Sequence, residues 1–210
     1  LKERGIGVYV IFEGEFMGIF KRLRKQIAVA LLLLFFTNMA QAADPDYTWK
    51  CYASTNNVIS VFVDGNKIYK GTNGGLLISN DSGSTWVHKT VADGLGSNVI
   101  YKIYASGSNI YLATIDGLCI STDSGNTWVT KTTADGMGYH NNVYDVVVVG
   151  STIYVAAFNG GGLSISTDHG NTWITKTTSN GLANNTLRAV SVVGTTIYAG
   201  TSSGLSISTD

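Results

Sequence analysis

An eight-residue phrase, S-x-D-x-G-x-T-W, occurs three times in this chain and begins a fourth time at its end. The copies are Ser79–Trp86, Ser121–Trp128 and Ser166–Trp173, followed by Ser208-Thr209-Asp210. Their opening serines lie 42, 45 and 42 residues apart. Between the phrases the chain is rich in Val, Ile, Tyr and Thr, with 25 glycines and one proline. A period in the low forties made of strand and turn formers is the length of one four-stranded antiparallel unit.

Written in register, each repeat predicts four short strands bounded by Gly, Asn, Asp or Ser. In the first these are Val58–Val63, Lys67–Thr72, Leu76–Ser79 and Thr85–Thr90. The first strands of the next three repeats read as Val99–Ala105, Val143–Val149 and Thr186–Val193. The fold class is therefore all-β, a β-propeller of four-stranded blades at about 58–96, 97–140 and 141–182. A shorter fourth blade at 183–210 makes the chain an expected piece of a larger propeller. Tyr69, Tyr111, Tyr154 and Tyr198 recur at one position of the second strand, each preceded by Ile, which suits packing between neighbouring blades.

The phrase is explained by the fold without a ligand. Asp81, Asp123 and Asp168 are short acceptors for backbone N–H groups of their own turn. Gly83, Gly125 and Gly170 supply a backbone conformation that a side chain would hinder. Ser79, Ser121 and Ser166 cross-link the arms of the turn, and Trp86, Trp128 and Trp173 close it by packing on the blade. Three aspartates in identical settings read as structural, because a binding site would rarely need one in every blade.

The N-terminal stretch has a different character. Lys21, Arg22, Arg24 and Lys25 precede an unbroken apolar run, Ile27–Phe36, and Ala40-Gln41-Ala42 follows with a small-x-small pattern. This reads as a secretory signal peptide over 17–43, with Met17 its start and 1–16 upstream read-through. Ten apolar residues fall short of the roughly 20 that a spanning helix needs, so no stable membrane anchor is expected. The protein is expected to be exported, periplasmic or extracellular. From Asp44 onward there are eleven aspartates, seven lysines, one arginine and no glutamate, which excludes a basic nucleic-acid-binding stripe. Cys51 and Cys119 are the two cysteines; export would permit a disulfide, while Cys119 stands in register with Leu77 and Ser164, as a lone thiol would. Tyr47-Thr48-Trp49-Lys50 resembles the start of a fourth strand and predicts a strand that closes the last blade.

The phrase is the Asp box, or BNR repeat, and from about Val58 to Asp210 the chain resembles the Asp-box β-propellers. That group includes sialidases, some endoglucanases and xyloglucanases, sortilin-type receptors, and photosystem II assembly factors of the Ycf48 type. The resemblance implies that the box lies between third and fourth strands, away from the functional face. It is specific for the blade and nearly silent on activity. Sialidase chemistry needs three arginines and a Tyr/Glu pair, whereas only Arg188 and no Glu lie past the leader. An endoglucanase-like reaction needs two flanking carboxylates. Asp116 and Asp145 are the non-repeated acids available for that role.

Where repeats disagree, a site is possible. Ser60, Tyr101, Asp145 and Arg188 read as the third residues of successive first strands, ringing one channel mouth. Loops between second and third strands add Asp116, Phe158 and Asn159, and a blade linker adds Tyr139 and His140. The expected function is a binding or scaffold module that takes a protein or glycan on the face opposite the boxes. The alternative is a secreted glycoside hydrolase, endoglucanase- or sialidase-like. His88, His140 and His169 have no ligand spacing, so no metal and no cofactor are expected.

Overall fold

The computed structural model describes residues 50–52 and 56–209, and the blades lie in a compact unit spanning Tyr52–Asp210. The expected leader and Thr48-Trp49 lie outside the described residues. Four antiparallel sheets follow one another along the chain. The first holds β1 (Val58–Asp64), β2 (Lys67–Thr72), β3 (Leu76–Ser79) and β4 (Val87–Lys89). The second holds β5 (Ile100–Ser106), β6 (Asn109–Thr114), β7 (Gly117–Ser121) and β8 (Val129–Lys131). The third holds β9 (Val143–Val149), β10 (Thr152–Ala157), β11 (Gly162–Ser166) and β12 (Ile174–Lys176). The fourth has three described strands, β13 (Leu187–Val193), β14 (Thr196–Thr201) and β15 (Gly204–Ser208). Each sheet pairs strands in chain order, so every connection within a blade is a hairpin.

The outer strands are shorter than the sequence predicts, three residues each, because the Thr and Trp of the phrase do not pair. Thr85, Thr127 and Thr172 give their N–H and hydroxyl to the box aspartate instead. The chain then leaves each outer strand through a one-turn 3-10 helix with a capping box. Thr90, Thr132 and Thr177 cap the turn, and Asp93, Asp135 and Asn180 accept the cap residue's N–H.

The core consists of the junctions between blades. At the first, Tyr69, Leu76 and Ile78 pack on Ile100, Ile103, Ile110 and Leu112. At the second, Tyr111, Leu118 and Ile120 meet Val143, Val146 and Ile153. The tyrosine row sits at these junctions, Tyr154 taking the same place at the third, and burial raises the hydroxyl pKa of Tyr69 and Tyr111. Trp128 packs back onto the first junction and Trp173 onto the second. First strands touch their neighbours in order, β1 with β5, β5 with β9 and β9 with β13, and so form the inner row.

Cys51 is exposed and Cys119 buried, and both are free thiols. Cys119 Sγ accepts the N–H of Gly96 from the linker. Ser164 and Ser206 accept linker N–H groups from Gly138 and Ala183 in the same way. The cysteine is thus a serine-like acceptor in its register.

Candidate functional site

The two ends of the blades are built differently. At one end lie the box turns. Ser79 Oγ donates to Asp81 Oδ1 at 2.8 Å and accepts the Gly83 N–H at 2.8 Å. Asp81 also takes the Thr85 N–H and hydroxyl at 2.8 and 2.7 Å. Ser121 with Asp123, and Ser166 with Asp168, repeat the arrangement. These donors hold the carboxyls of Asp81 and Asp123 down at about 2, with the Thr85 N–H first for Asp81 and the Thr127 hydroxyl first for Asp123. Asp168 is lowered as well, chiefly by the Thr172 hydroxyl. Each turn is tied to the hairpin between first and second strands, since Ser82, Ser124 and His169 donate their N–H to Asn66, Ser108 and Ser151 carbonyls. Every oxygen of Asp81 is engaged within its own turn, the main-chain carbonyl by the Ser84 hydroxyl.

The opposite end carries the hairpins between second and third strands and the entrances of the first strands. Each first strand is bulged there. Val58 pairs with Thr72 and Ser60 with Gly71, leaving Ile59 as an extra residue. The same insertion leaves Tyr101, Tyr144 and Arg188 without a cross-strand partner in the next three blades. A bulge bends the strand and re-aims the extra side chain, and three of these four converge with Phe158 of the β10–β11 hairpin. Tyr101 and Tyr144 stack with centroids 4.5 Å apart and planes at 17°. Tyr144 and Phe158 follow at 4.7 Å. The Arg188 guanidinium carbon lies 4.7 Å from the Phe158 centroid and 5.9 Å from that of Tyr144. The result is a ladder, Tyr101–Tyr144–Phe158–Arg188, across three blades.

The register differs from the one predicted, which placed Ser60, Tyr101, Asp145 and Arg188 in one row. Ser60 aligns with Lys102, Asp145 and Ala189, while Tyr101 and Arg188 align with Ile59 and Tyr144. Starting the first strands at Val99 and Thr186 sets the count one residue early, and one residue reverses the face. Tyr144 was missed for that reason. The signal was present, because Tyr101 and Tyr144 each stand two residues before the buried Ile103 and Val146.

The third-position row stitches blades together. Ser60 Oγ accepts the Ile103 N–H of the next blade at 3.2 Å. Asp145 Oδ2 accepts the Val190 N–H at 3.0 Å, and its Oδ1 accepts its neighbour Val146 at 2.9 Å. Lys102 Nζ stands 3.8 Å from Oδ1, on the exposed side. Burial raises the Asp145 pKa above the ordinary carboxylate value, outweighing the three partners. Asp116 is exposed, with its N–H on Thr114 Oγ1, and lies close enough to Tyr101 to oppose ionisation of that hydroxyl, after burial and Tyr144. Asn159 is exposed beside Phe158 with φ 50. Tyr139, 76% exposed, and His140 stand on a linker that runs against the Phe158 hairpin, where Asn142 accepts the Phe158 N–H. The geometry thus joins Tyr101, Phe158 and Arg188, and keeps Tyr139 and His140 outside the ladder.

No family model and no curated protein matches the chain. Solved structures do. An ancestral GH74 enzyme superposes with a TM-score of 0.61 at 19% identity, over 73% of this chain and 23% of its own. The extracellular domain of a hybrid two-component system from B. thetaiotaomicron gives 0.61 at 16% identity, over 78% and 24%. YCF48 bound to a D1 peptide gives 0.57 at 18% identity, over 75% and 53%. The chain spans about a quarter of the first two structures and about half of the third. The fold is that of a β-propeller, here three four-stranded blades and the three described strands of a fourth. Among the described residues no helix is long and apolar enough to cross a membrane.

Proposed function

We propose that the protein is an exported binding module of the Asp-box type, and that its partner docks on the rim opposite the box turns. The observation that carries this reading is the bulge row. One backbone device recurs in all four blades, yet it presents Ile59, Tyr101, Tyr144 and Arg188, which differ. Repetition serves the fold and divergence serves recognition. Asn159 and Asp116 extend the same rim from neighbouring hairpins, and Tyr139 and His140 flank it. Export is supported by the basic, apolar and small-residue succession from Lys21 to Ala42.

Hydrolysis by Asp116 and Asp145 has less support. A glycosidase needs both carboxyls turned to the scissile bond, whereas Asp145 spends its two oxygens on Val146, Val190 and Lys102. GH74 enzymes and peptide-bound YCF48 share the fold, so the fold alone is compatible with either role.

The test is unbiased selection on the full chain, using a random dodecapeptide display library and a glycan array in parallel. Selected ligands are expected to bind wild type and to lose binding with Tyr101→Ala or Phe158→Ala. Ser124→Ala, on the box side, is expected to leave binding unchanged. Ligands that tolerate the rim variants would overturn the assignment of the face.

A further inference from the structure

The ladder also limits what the rim can hold. A sugar ring stacks on an open aromatic face. Here the facing sides are already covered, Tyr101 by Tyr144, Tyr144 by Phe158, and Phe158 by the Arg188 guanidinium. Within the ladder this leaves the outer side of Tyr101 and an edge of phenol and guanidinium groups, with the exposed Tyr139 ring standing outside it.

Charge separates the two cations at the first-strand entrances, Lys102 and Arg188. Lys102 is neutralised by Asp145 directly beneath it. Arg188, exposed and stacked on Phe158, has no carboxylate within ion-pair distance among the described residues. A guanidinium held by its carbon over a ring keeps N–H donors at its periphery, and its fork matches a carboxylate in bidentate fashion. Stacking also removes much of the side-chain freedom that binding would otherwise have to freeze, so the receptor is pre-organised. Asp116, near Tyr101 at the other end of the ladder, repels a second negative charge there. An anionic group is therefore directed to the Arg188 end.

We infer that the rim is a carboxylate receptor for an extended peptide, with Arg188 gripping the acid and the Tyr101–Tyr144–Phe158 stack holding the guanidinium in place. The carboxylate comes from a chain terminus or from an Asp or Glu side chain. This inference rests on the rim reading above and narrows it.

The experiment uses four fluorescein-labelled peptides of one Gly-Ser-Asn-Phe background, titrated against the full chain by fluorescence anisotropy. The first has a free C-terminal carboxylate, the second an internal Glu and an amidated end, the third an internal Gln and an amidated end. The fourth carries Lys in place of Glu. Either or both of the first two are expected to bind about tenfold or more tightly than the third, with the Lys peptide weakest. Which of the two binds distinguishes terminus from side chain. Arg188→Gln is expected to bring the acidic peptides down to the Gln level, and Phe158→Leu to weaken them several-fold, both with an unchanged circular dichroism melt. Equal binding of acidic and Gln peptides, a preference that survives Arg188→Gln, or uronate oligosaccharides outcompeting the peptides would overturn the inference. If display still yields ligands that depend on Tyr101 and Phe158 without any acid, the rim reading stands and only the carboxylate falls. Ligands indifferent to the rim variants sink both.

Discussion

One phrase does not give its three tryptophans one environment. Trp86 Nε1 donates to its own Gly83 carbonyl at 3.1 Å, with Lys70 Nζ 3.8 Å from the ring centroid and Tyr52 edge-on at 5.9 Å. Trp128 and Trp173 face a preceding blade, and their indole N–H groups are buried with no hydrogen-bond partner. Their contribution is volume. Trp128→Ala is expected to cost about 3–5 kcal/mol in a urea titration, as for a large aromatic deleted from a core. Trp128→Phe is expected to cost far less, because it also removes an unsatisfied donor worth about 1–3 kcal/mol in lost desolvation. If the Phe variant is as damaged as the Ala variant, the indole has a polar role that the packing does not reveal. Next to it, Gly125 has φ 87, and an added Cβ would come within 3.0 Å of Ile78 and 3.3 Å of the Trp128 ring. The sequence made this glycine legible; that the preceding Ser82, Ser124 and His169 are left-handed too, at φ 57, 61 and 59, was hidden by their variety.

At the scale of the element, strands and hairpins were readable from alternation and Gly-Asn-Asp turns, while the bulge was not. A bulge adds one residue to one strand without changing composition, so only the pairing of β1 with β2 and its three counterparts reveals it. That single residue decides which side chains reach the rim and which sit beneath it. It moves Asp145 from a candidate acid at a channel mouth to a tie between blades. Removing the tie leaves the Val190 N–H buried and unpaired, so Asp145→Ala is expected to cost about 1–3 kcal/mol. The acid response follows from opposite signs. Asp81 and Asp123, held at about 2, bind protons less readily folded than unfolded, so their stabilisation is complete above the ordinary carboxylate pKa of 3.8 and drains away as pH falls toward 2. Asp145 has its pKa raised, so it favours the fold most when protonated and loses that favour as pH rises through its folded value. Urea midpoints across pH 2 to 7 are expected to fall steeply below pH 4. Asp145→Asn is expected to leave that fall intact and to remove a shallow decline above it. A steep acid limb that vanishes in Asp145→Asn would contradict the assignment of the boxes as its source.

At the scale of the molecule, stability is a sum over blade junctions, and the junctions are not equal. Gly125 and Trp128 sit against Ile78 and Ile110 at the first junction, and Gly170 and Trp173 against Ile120 and Ile153 at the second. The corresponding residues of the third junction, Ile165 and Ile197, line an open groove of about 430 Å³ with Leu182 and Ala199. Beside it β15 pairs with β14 alone among the described strands, with Leu205 and Ile207 61% and 58% exposed. The repeat period made blade number and order legible. It could not reveal this groove, which belongs to the contact between two repeats and to neither one alone. If the indole is what completes a junction, residues 56–209 expressed by themselves should accept, at the third, a peptide with the sequence of residues 170–176, carrying Thr172 and Trp173. It would add a strand to the open edge of β15 and seat its indole between Ile165 and Ile197. At a hundredfold excess over its Kd, mass action gives about 2.7 kcal/mol of stabilisation, a shift of several degrees in Tm. The same peptide with Ala at the Trp173 position is expected to leave Tm where it was. Equal shifts from both peptides would mean that the strand edge alone drives the association and that the tryptophan is incidental to blade closure.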